Sequence, residues 1–397
     1  MKRSKWFAMV AMLMALTLVA AACGGDEEDG GNGDDAAGGE PCNWNVGTIG
    51  ALSGDLATIG GPIHAGITYG VEAANEEFDL PCDLTLVEED SQGAEDKAPQ
   101  LAQKLVTDEE LVAVVGPYFS GETLAAGDIF DEAAVPFLSP SATNPDLSNN
   151  GWTHFFRLVG TDAQQASEVA TYLNDVEGAE SVVVLHDNTE YGKPLAEGVA
   201  EAVDAEDVIA INPEETDHSA ELTAAQDAGA EAVFFGGYQP EFSEILKQAD
   251  EAGFEATMVS ADGSKAPELS EDPSAEGSIV TCPCDDPAAS TNPDANTFAK
   301  EFEEAEGDPP GTYATEGYDG VFLVATALEE SGLDGEASIE EIRTSIRDFV
   351  AEGSYEGLSK TYEFDEKGEL GTVSIFAYET VQGAPGGFEQ LGLISEL

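Results

Sequence analysis

The residues able to do chemistry in this chain are hydroxyls, phenols and acids that follow short apolar runs. Residues 112–115 are an apolar, valine-rich run ending in Gly116-Pro117. The loop Tyr118-Phe119-Ser120-Gly121-Glu122-Thr123 then leads into a small-residue helix predicted over 124–134. A second short strand over 135–138 ends in Ser139-Pro140-Ser141-Ala142-Thr143-Asn144-Pro145. A parallel α/β sheet places such loops at the carboxyl ends of its strands. A hydroxyl at a helix start, beside free backbone N–H groups, suits a carboxylate. Helix capping and turn chemistry account for the same residues without a ligand. The pattern recurs later: Tyr191, Tyr238 and Asp262 stand at strand exits further along. An acid can hold an ammonium, and phenols can line a pocket. Ser120 and Thr143 from one half, facing Tyr191, Tyr238 and Asp262 from the other, describe a site for a zwitterionic amino acid.

Other chemistries lack their residues. There is no G-x-S-x-G elbow, no G-x-x-x-x-G-K-[ST] loop and no H-E-x-x-H pair. The run Gly47-Thr48-Ile49-Gly50 through Gly54 fails the dinucleotide spacing. With 80 Asp and Glu in 397 residues, adjacent acids carry no catalytic information. His64, His154, His186 and His218 are dispersed, and no pair has the spacing of helical metal ligands. No twelve-residue calcium loop is present. We therefore expect no cofactor, no metal and no enzymatic activity.

The elements that must carry these loops alternate regularly. Strands are predicted over 45–49, 83–87 and 111–115, with helices over 64–78 and 95–107 between them. After a crossing strand over 153–159 and a helix from Thr161, the rhythm resumes. Its strands are expected over 181–186, 208–212, 232–235 and 257–260, each followed by a helix or an exit loop. Helices over 296–306 and 315–330 should pack back on the first half, and 360–364 with 373–379 reads as a hairpin. This is an α/β chain with two Rossmann-like lobes around parallel sheets and three hinge crossovers. Lobe one comprises 41–160 plus 286–355, and lobe two 161–285 plus 356–397.

The N-terminus reads as a processing signal over 1–22. Lys2, Arg3 and Lys5 precede an apolar run, and Ala20-Ala21-Ala22-Cys23 resembles a bacterial lipoprotein cleavage box. That resemblance implies export and lipidation of Cys23. An ordinary secretory peptide cleaved near Ala22 is the alternative. Residues 23–40 are a flexible acidic, Gly-rich tether. The formal charge is −66, which excludes nucleic acid as a partner. Abundant acids with few lysines resemble the proteins of salt-loving organisms, in which screening makes such charge tolerable. Cys42 and Cys82 open neighbouring strands and are expected to pair. Cys282 and Cys284 are left either bonded or reduced.

Collectively, Leu52-Ser53-Gly54, Val115-Gly116-Pro117, the 139–145 block, Phe156-Arg157, His186-Asp187 with Tyr191-Gly192, and Gly236-Gly237-Tyr238-Gln239-Pro240-Glu241 carry a resemblance. The chain resembles the leucine/isoleucine/valine-binding type of substrate-binding lipoprotein of branched-chain amino acid ABC importers, over about residues 43–385. The resemblance implies a type I periplasmic-binding-protein fold and capture of an amino acid, branched-chain or otherwise apolar, between the lobes. It implies delivery to a membrane permease, with the protein held to the membrane by a lipid anchor or free in the periplasm. Ser120, Ser141 (mainly through its backbone), Ala142 and Thr143 would hold the carboxylate, Asp262 the amine. Tyr191, Tyr238 and Ile59 would lie against the ligand. Asp262 stands where the family carries Glu, Ile59 where it carries an aromatic. Ser91 and Phe119 lie near the positions of a family disulfide. A sensor, or a binder of amides or small acids with the same fold, is the alternative function.

Overall fold

The computed structural model describes residues 42–371 and 373–397. The expected signal, the tether and the lipidated Cys23 lie outside the described residues. The first lobe contains β1 (Asn43–Gly50), α1 (Ala57–Glu77), β2 (Asp83–Asp90), α2 (Ala98–Val106), β3 (Leu111–Val115), α3 (Ser120–Glu132), β4 (Phe137–Ser139) and β5 (Phe155–Arg157). All neighbouring strands are parallel, in the order β2-β1-β3-β4-β5. Helices cover both faces of the central strands, so β3 is buried at every residue and reads as an unbroken apolar run.

The second lobe begins with α4 (Asp162–Thr171), extended by a π turn over Tyr172–Val176. The elements β6 (Val182–His186), α5 (Gly192–Val203), β7 (Asp207–Ala210), α6 (Ser219–Asp227), β8 (Ala232–Gly236), α7 (Gln239–Ala252), β9 (Thr257–Ser260) and β10 (Ile279–Cys282) follow. The chain then returns through α8 (Pro293–Glu306), α9 (Ala314–Ser331) and α10 (Ile339–Glu352). A short pair, β11 (Tyr355–Glu356) and β12 (Thr361–Tyr362), precedes β13 (Phe376–Thr380) and β14 (Phe388–Leu393). The second sheet runs β14-β13-β10-β9-β8-β6-β7. Its five strands from β7 to β10 are parallel, while β13 and β14 add an antiparallel edge. Among the described residues no helix is long and apolar enough to cross a membrane.

Four local expectations change. Helix α1 starts at Ala57 rather than His64 and takes in Gly60-Gly61-Pro62, ahead of the expected start. A Cβ on Gly60 would lie 2.2 Å from the Ala51 carbonyl oxygen, so this glycine permits a close approach of helix to strand exit. Strand β10 was not anticipated. It lies parallel to β9 and gives β13 its partner, so the hairpin expected from 360–364 and 373–379 does not form. Among the described residues a single bridge joins Phe364 to Leu370 there. Finally, Tyr355, Tyr362, Phe364 and Leu370 pack in the same apolar cluster as α1, α9 and β5. The chain therefore rejoins the second sheet only after Leu370, at β13, later than the expected 356.

The chain passes between the two sheets at 158–161, at 283–292 and just before β13 at 373–375, and the three passages touch. A Cβ on Gly160 would meet Val373 Cγ1 at 3.0 Å and Pro283 Cβ at 3.4 Å. Cys42 is bonded to Cys82, joining the starts of β1 and β2. Cys282 is bonded to Cys284 around Pro283, in the second passage.

Candidate functional site

The first lobe supplies hydroxyls and backbone. Ser120 is the first residue of α3 and is buried, and its Oγ accepts the Asn144 N–H at 3.3 Å. The 139–145 loop, which leaves β4, lies beside it. Ser139 Oγ donates to the Pro117 carbonyl at 2.7 Å and accepts the Ala142 N–H at 3.1 Å. Ser141 Oγ donates to the Tyr118 carbonyl at 2.6 Å, so its hydroxyl is already engaged. Among the described residues, the N–H groups of Ser141 and Thr143 donate to no other group. Thr143 is fully buried, and among the described residues its Oγ1 has no hydrogen-bond partner of ordinary length, although it lies near the Asp162 carboxyl. A buried hydroxyl of this kind costs about 1–3 kcal/mol unless a partner reaches it.

Arg157 fixes the shape of this loop. Its side chain is fully buried, with Nη1 donating to the Ala142 carbonyl at 2.6 Å and Nη2 to that of Asn144 at 2.9 Å. Its Nε and Nη2 also form a fork on Glu369, at 2.9 and 2.8 Å. A guanidinium is suited to such rigid multidentate duty. By holding the carbonyls on either side of Thr143, it turns the intervening peptide groups the other way.

The second lobe supplies acids and phenols. Asp262 follows β9 in a short 3-10 turn and is buried. Its Oδ1 accepts from Tyr191 Oη at 2.9 Å and from Gln165 Nε2 at 2.7 Å. The Gly263 N–H donates to Tyr191 Oη at 2.9 Å, completing that phenol's polar contacts. Burial pushes the Asp262 carboxyl up to about 6, against the lowering effect of the hydrogen bond from Tyr191 and of the nearby Tyr313 hydroxyl. The ring of Tyr238 packs on that of Tyr191, with centroids 5.0 Å apart. Burial raises the pKa of both phenols well above the usual value.

Three residues join this set that motif reading passed over. Asp162 starts α4, is 1% exposed, and neither carboxylate oxygen has a hydrogen-bond partner among the described residues. Burial pushes it up to about 8, and the neighbouring Asp262 charge adds to the rise, while the nearby Thr143 hydroxyl and the Arg157 charge hold it back. Its N–H donates to the Thr143 carbonyl at 2.9 Å, which ties it to the hydroxyl loop. Gln165 leaves its Oε1 without a partner, and Tyr313 is buried with a positive φ of 62°. Thr161-Asp162-Ala163-Gln164 has the form of a helix-start capping box, and it does cap α4. That local role hid Asp162 in the sequence.

Two buried carboxyls, three phenols, an amide and an unpaired hydroxyl thus converge where the lobes meet. Ile59, in the first turn of α1, is buried. It belongs to one cluster with Phe119 and Tyr313, against which Tyr238 packs. The lobes also touch directly, with Asn144 Nδ2 donating to the Glu190 carbonyl. Outside this chamber lies a cavity of about 1270 Å³, lined from both lobes by residues that include Phe119, Tyr191 and Tyr238. Free N–H groups and a hydroxyl can hold a carboxylate, while paired acids can hold an ammonium. The arrangement is that of a two-lobed protein that closes around a small polar ligand.

The chain belongs to the periplasmic binding protein family: the family model described as Periplasmic binding protein matches residues 43–379. It is 29% identical, over 83% of its length and 88% of the relative's, to the leucine-, isoleucine-, valine-, threonine- and alanine-binding protein of Pseudomonas aeruginosa. It is 28% identical to the leucine-specific-binding protein of Salmonella typhimurium, covering 82% of this chain and 87% of that one. Among solved structures, the leucine binding protein LivK of Thermotoga maritima superposes with a TM-score of 0.79 at 26% identity, covering 89% of this chain and 100% of that one. The substrate binding protein LivJ of Streptococcus pneumoniae, solved with isoleucine, shares the fold with a TM-score of 0.78 at 24% identity over 88% and 99% of the two chains.

Proposed function

We propose that this protein captures a free apolar amino acid, branched-chain in the first instance, between its lobes. It then presents the closed complex to the permease of an ABC importer. One observation carries the reading. A buried hydroxyl (Thr143) and a buried carboxyl (Asp162, beside Asp262) meet in one chamber, near enough for the hydroxyl to lower the carboxyl's pKa but without a full hydrogen bond to each other or to another described group. A zwitterion satisfies both. The carboxylate would take the Thr143 hydroxyl, the N–H groups of Ser141 and Thr143, and the start of α3 at Ser120. The ammonium would lie between Asp262 and Asp162. Ile59 and the rings of Tyr191 and Tyr238 would enclose the side chain. Asp262 reaches the amine while held by Tyr191 and Gln165, so its short side chain is positioned by its neighbours.

The relatives' names support the amino-acid assignment, and their description as transporter components supports delivery to a permease. On this reading the protein binds without chemical conversion. It is exported, and Cys23 carries the lipid that keeps the body at the outer face of the membrane. Calorimetry in high salt against a panel of amino acids, amides and small carboxylates tests the assignment. Tight binding of leucine, isoleucine or valine is expected. Binding confined to acids without an amine would replace it with the small-acid reading. A benzoate-bound neighbour of the same fold is the precedent for that alternative.

A further inference from the structure

We propose that Phe119 sets the upper size of the ligand side chain. Its ring, carried by the first lobe, closes edge-on against Tyr238 of the second and walls the polar chamber off from the outer cavity. The inference deepens the amino-acid-binding reading and rests on it.

Phe119 immediately precedes Ser120 and is the residue from which α3 springs. It is 6% exposed, although it stands at a loop facing the cleft. Its ring centroid lies 5.6 Å from that of Tyr238, with the planes at 75°. The Tyr238 ring in turn lies 5.0 Å from that of Tyr191, whose hydroxyl is bonded to Asp262. Three rings therefore run in series from one lobe into the other. All three line the outer cavity. On the inner side, their chain neighbours and hydrogen-bond partners, Ser120 and Asp262, belong to the polar chamber. Edge-to-face contact is a favoured aromatic geometry, so closure onto it has a defined end point.

The ring is also held from behind. Glu122, fully buried one turn into α3, accepts the Phe119 N–H at 3.3 Å through Oε2. Its Oε1 accepts the hydroxyl of Ser91 from the loop after β2. The backbone of Phe119 is thus tied to two elements and cannot withdraw when a bulky ligand enters. Ile59 belongs to the same apolar cluster as Phe119 and Tyr238, and on this proposal the three bound the space left for a side chain. A ligand ring larger than a branched aliphatic group would compete with the Phe119 ring for that space and hold the lobes apart.

The test is calorimetry with L-leucine, L-valine and L-phenylalanine against the full chain and Phe119→Ala, Phe119→Leu and Tyr238→Ala. The ratio of the phenylalanine Kd to the leucine Kd should fall about tenfold in Phe119→Ala, the scale of a lost steric contact in an apolar pocket. Phe119→Leu should fall between it and the unmutated protein, and Tyr238→Ala should move the ratio the same way. Thermal melts monitor folding, and Phe119→Leu carries the test if the alanine variant does not fold. An unmoved ratio, with all three ligands weakened alike, would reduce Phe119 to a closure contact and overturn the inference alone. Failure of the unmutated protein to bind any of the three would overturn the amino-acid reading, and this inference with it.

Discussion

The two faces of the cleft are built from the same topological device but present opposite chemistry. On the first lobe the loops after β3 and β4 offer hydroxyls and outward N–H groups, and the ionisable groups behind them are already engaged, Arg157 on carbonyls and Glu369, Glu122 on Ser91 and the Phe119 N–H. On the second lobe the loops after β6, β8 and β9 offer phenols and Asp262, and α4 adds Asp162. The first face is neutral and fixed. The second is ionisable, with Asp262 up at about 6 and Asp162 at about 8 for want of solvent. A ligand with one negative and one positive end is therefore read in one orientation, and neither lobe alone can satisfy it. In that division lies the reason a binding protein needs to close.

Breaking the ionisable face should cost most. Asp262→Asn removes a charge from a buried ammonium contact and should weaken leucine by about 2–5 kcal/mol, while leaving the deaminated analogue 4-methylpentanoate unaffected. Calorimetry with the two ligands separates the outcomes. On the neutral face, Thr143→Ala should cost about 1–3 kcal/mol, and here leucine and 4-methylpentanoate should weaken together.

The joint between the faces can be stiffened without touching either. Gly160→Val would drive methyl groups into Val373 and Pro283, where the three passages meet. Overpacking of this kind should cost about 1–3 kcal/mol of stability, read in a thermal melt. Leucine affinity should drop with it, and small-angle scattering should show a smaller change in radius of gyration on adding ligand.

Acidity sharpens the same contrast with a smaller effect. Both carboxyls have folded pKa values above their unfolded ones, so the empty folded protein keeps protons that the unfolded chain has released. Their contribution to stability is complete below about pH 4 and is lost as pH rises through 6 and then 8. An ammonium ligand drives those protons off. Leucine affinity should therefore rise by roughly tenfold between about pH 5.5 and 8, with protons released on binding, while 4-methylpentanoate shows no such rise. Titrations in buffers of different ionisation enthalpy count the protons.

Much of this division was legible in the sequence because parallel strands buried on both faces leave unbroken apolar runs. β3, β6 and β8 are such runs, and the loops that end them carry Ser120, Tyr191 and Tyr238. The neighbouring starts of β1 and β2 likewise predict the pairing of Cys42 with Cys82. What escaped depends on tertiary approach. Gly60-Gly61-Pro62 falls outside the expected helix unless the helix is known to press on Ala51. Residues 360–379 spell a hairpin unless β10 is known to stand ready for β13. Asp162 and Arg157 have adequate local explanations, a helix cap and a strand residue. Their convergence on Thr143 comes from the first passage between lobes, which folds 157–162 back across the 142–144 loop.

The account stands on a zwitterion shared between unlike faces. The direct measurement is calorimetry of the unmutated protein, Thr143→Ala and Asp262→Asn with three ligands: L-leucine, 4-methylpentanoate and 3-methylbutylamine. Thr143→Ala should weaken the two carboxylates and spare the amine, and Asp262→Asn should weaken the two amines and spare the acid. Equal losses for all three ligands in both variants would contradict it.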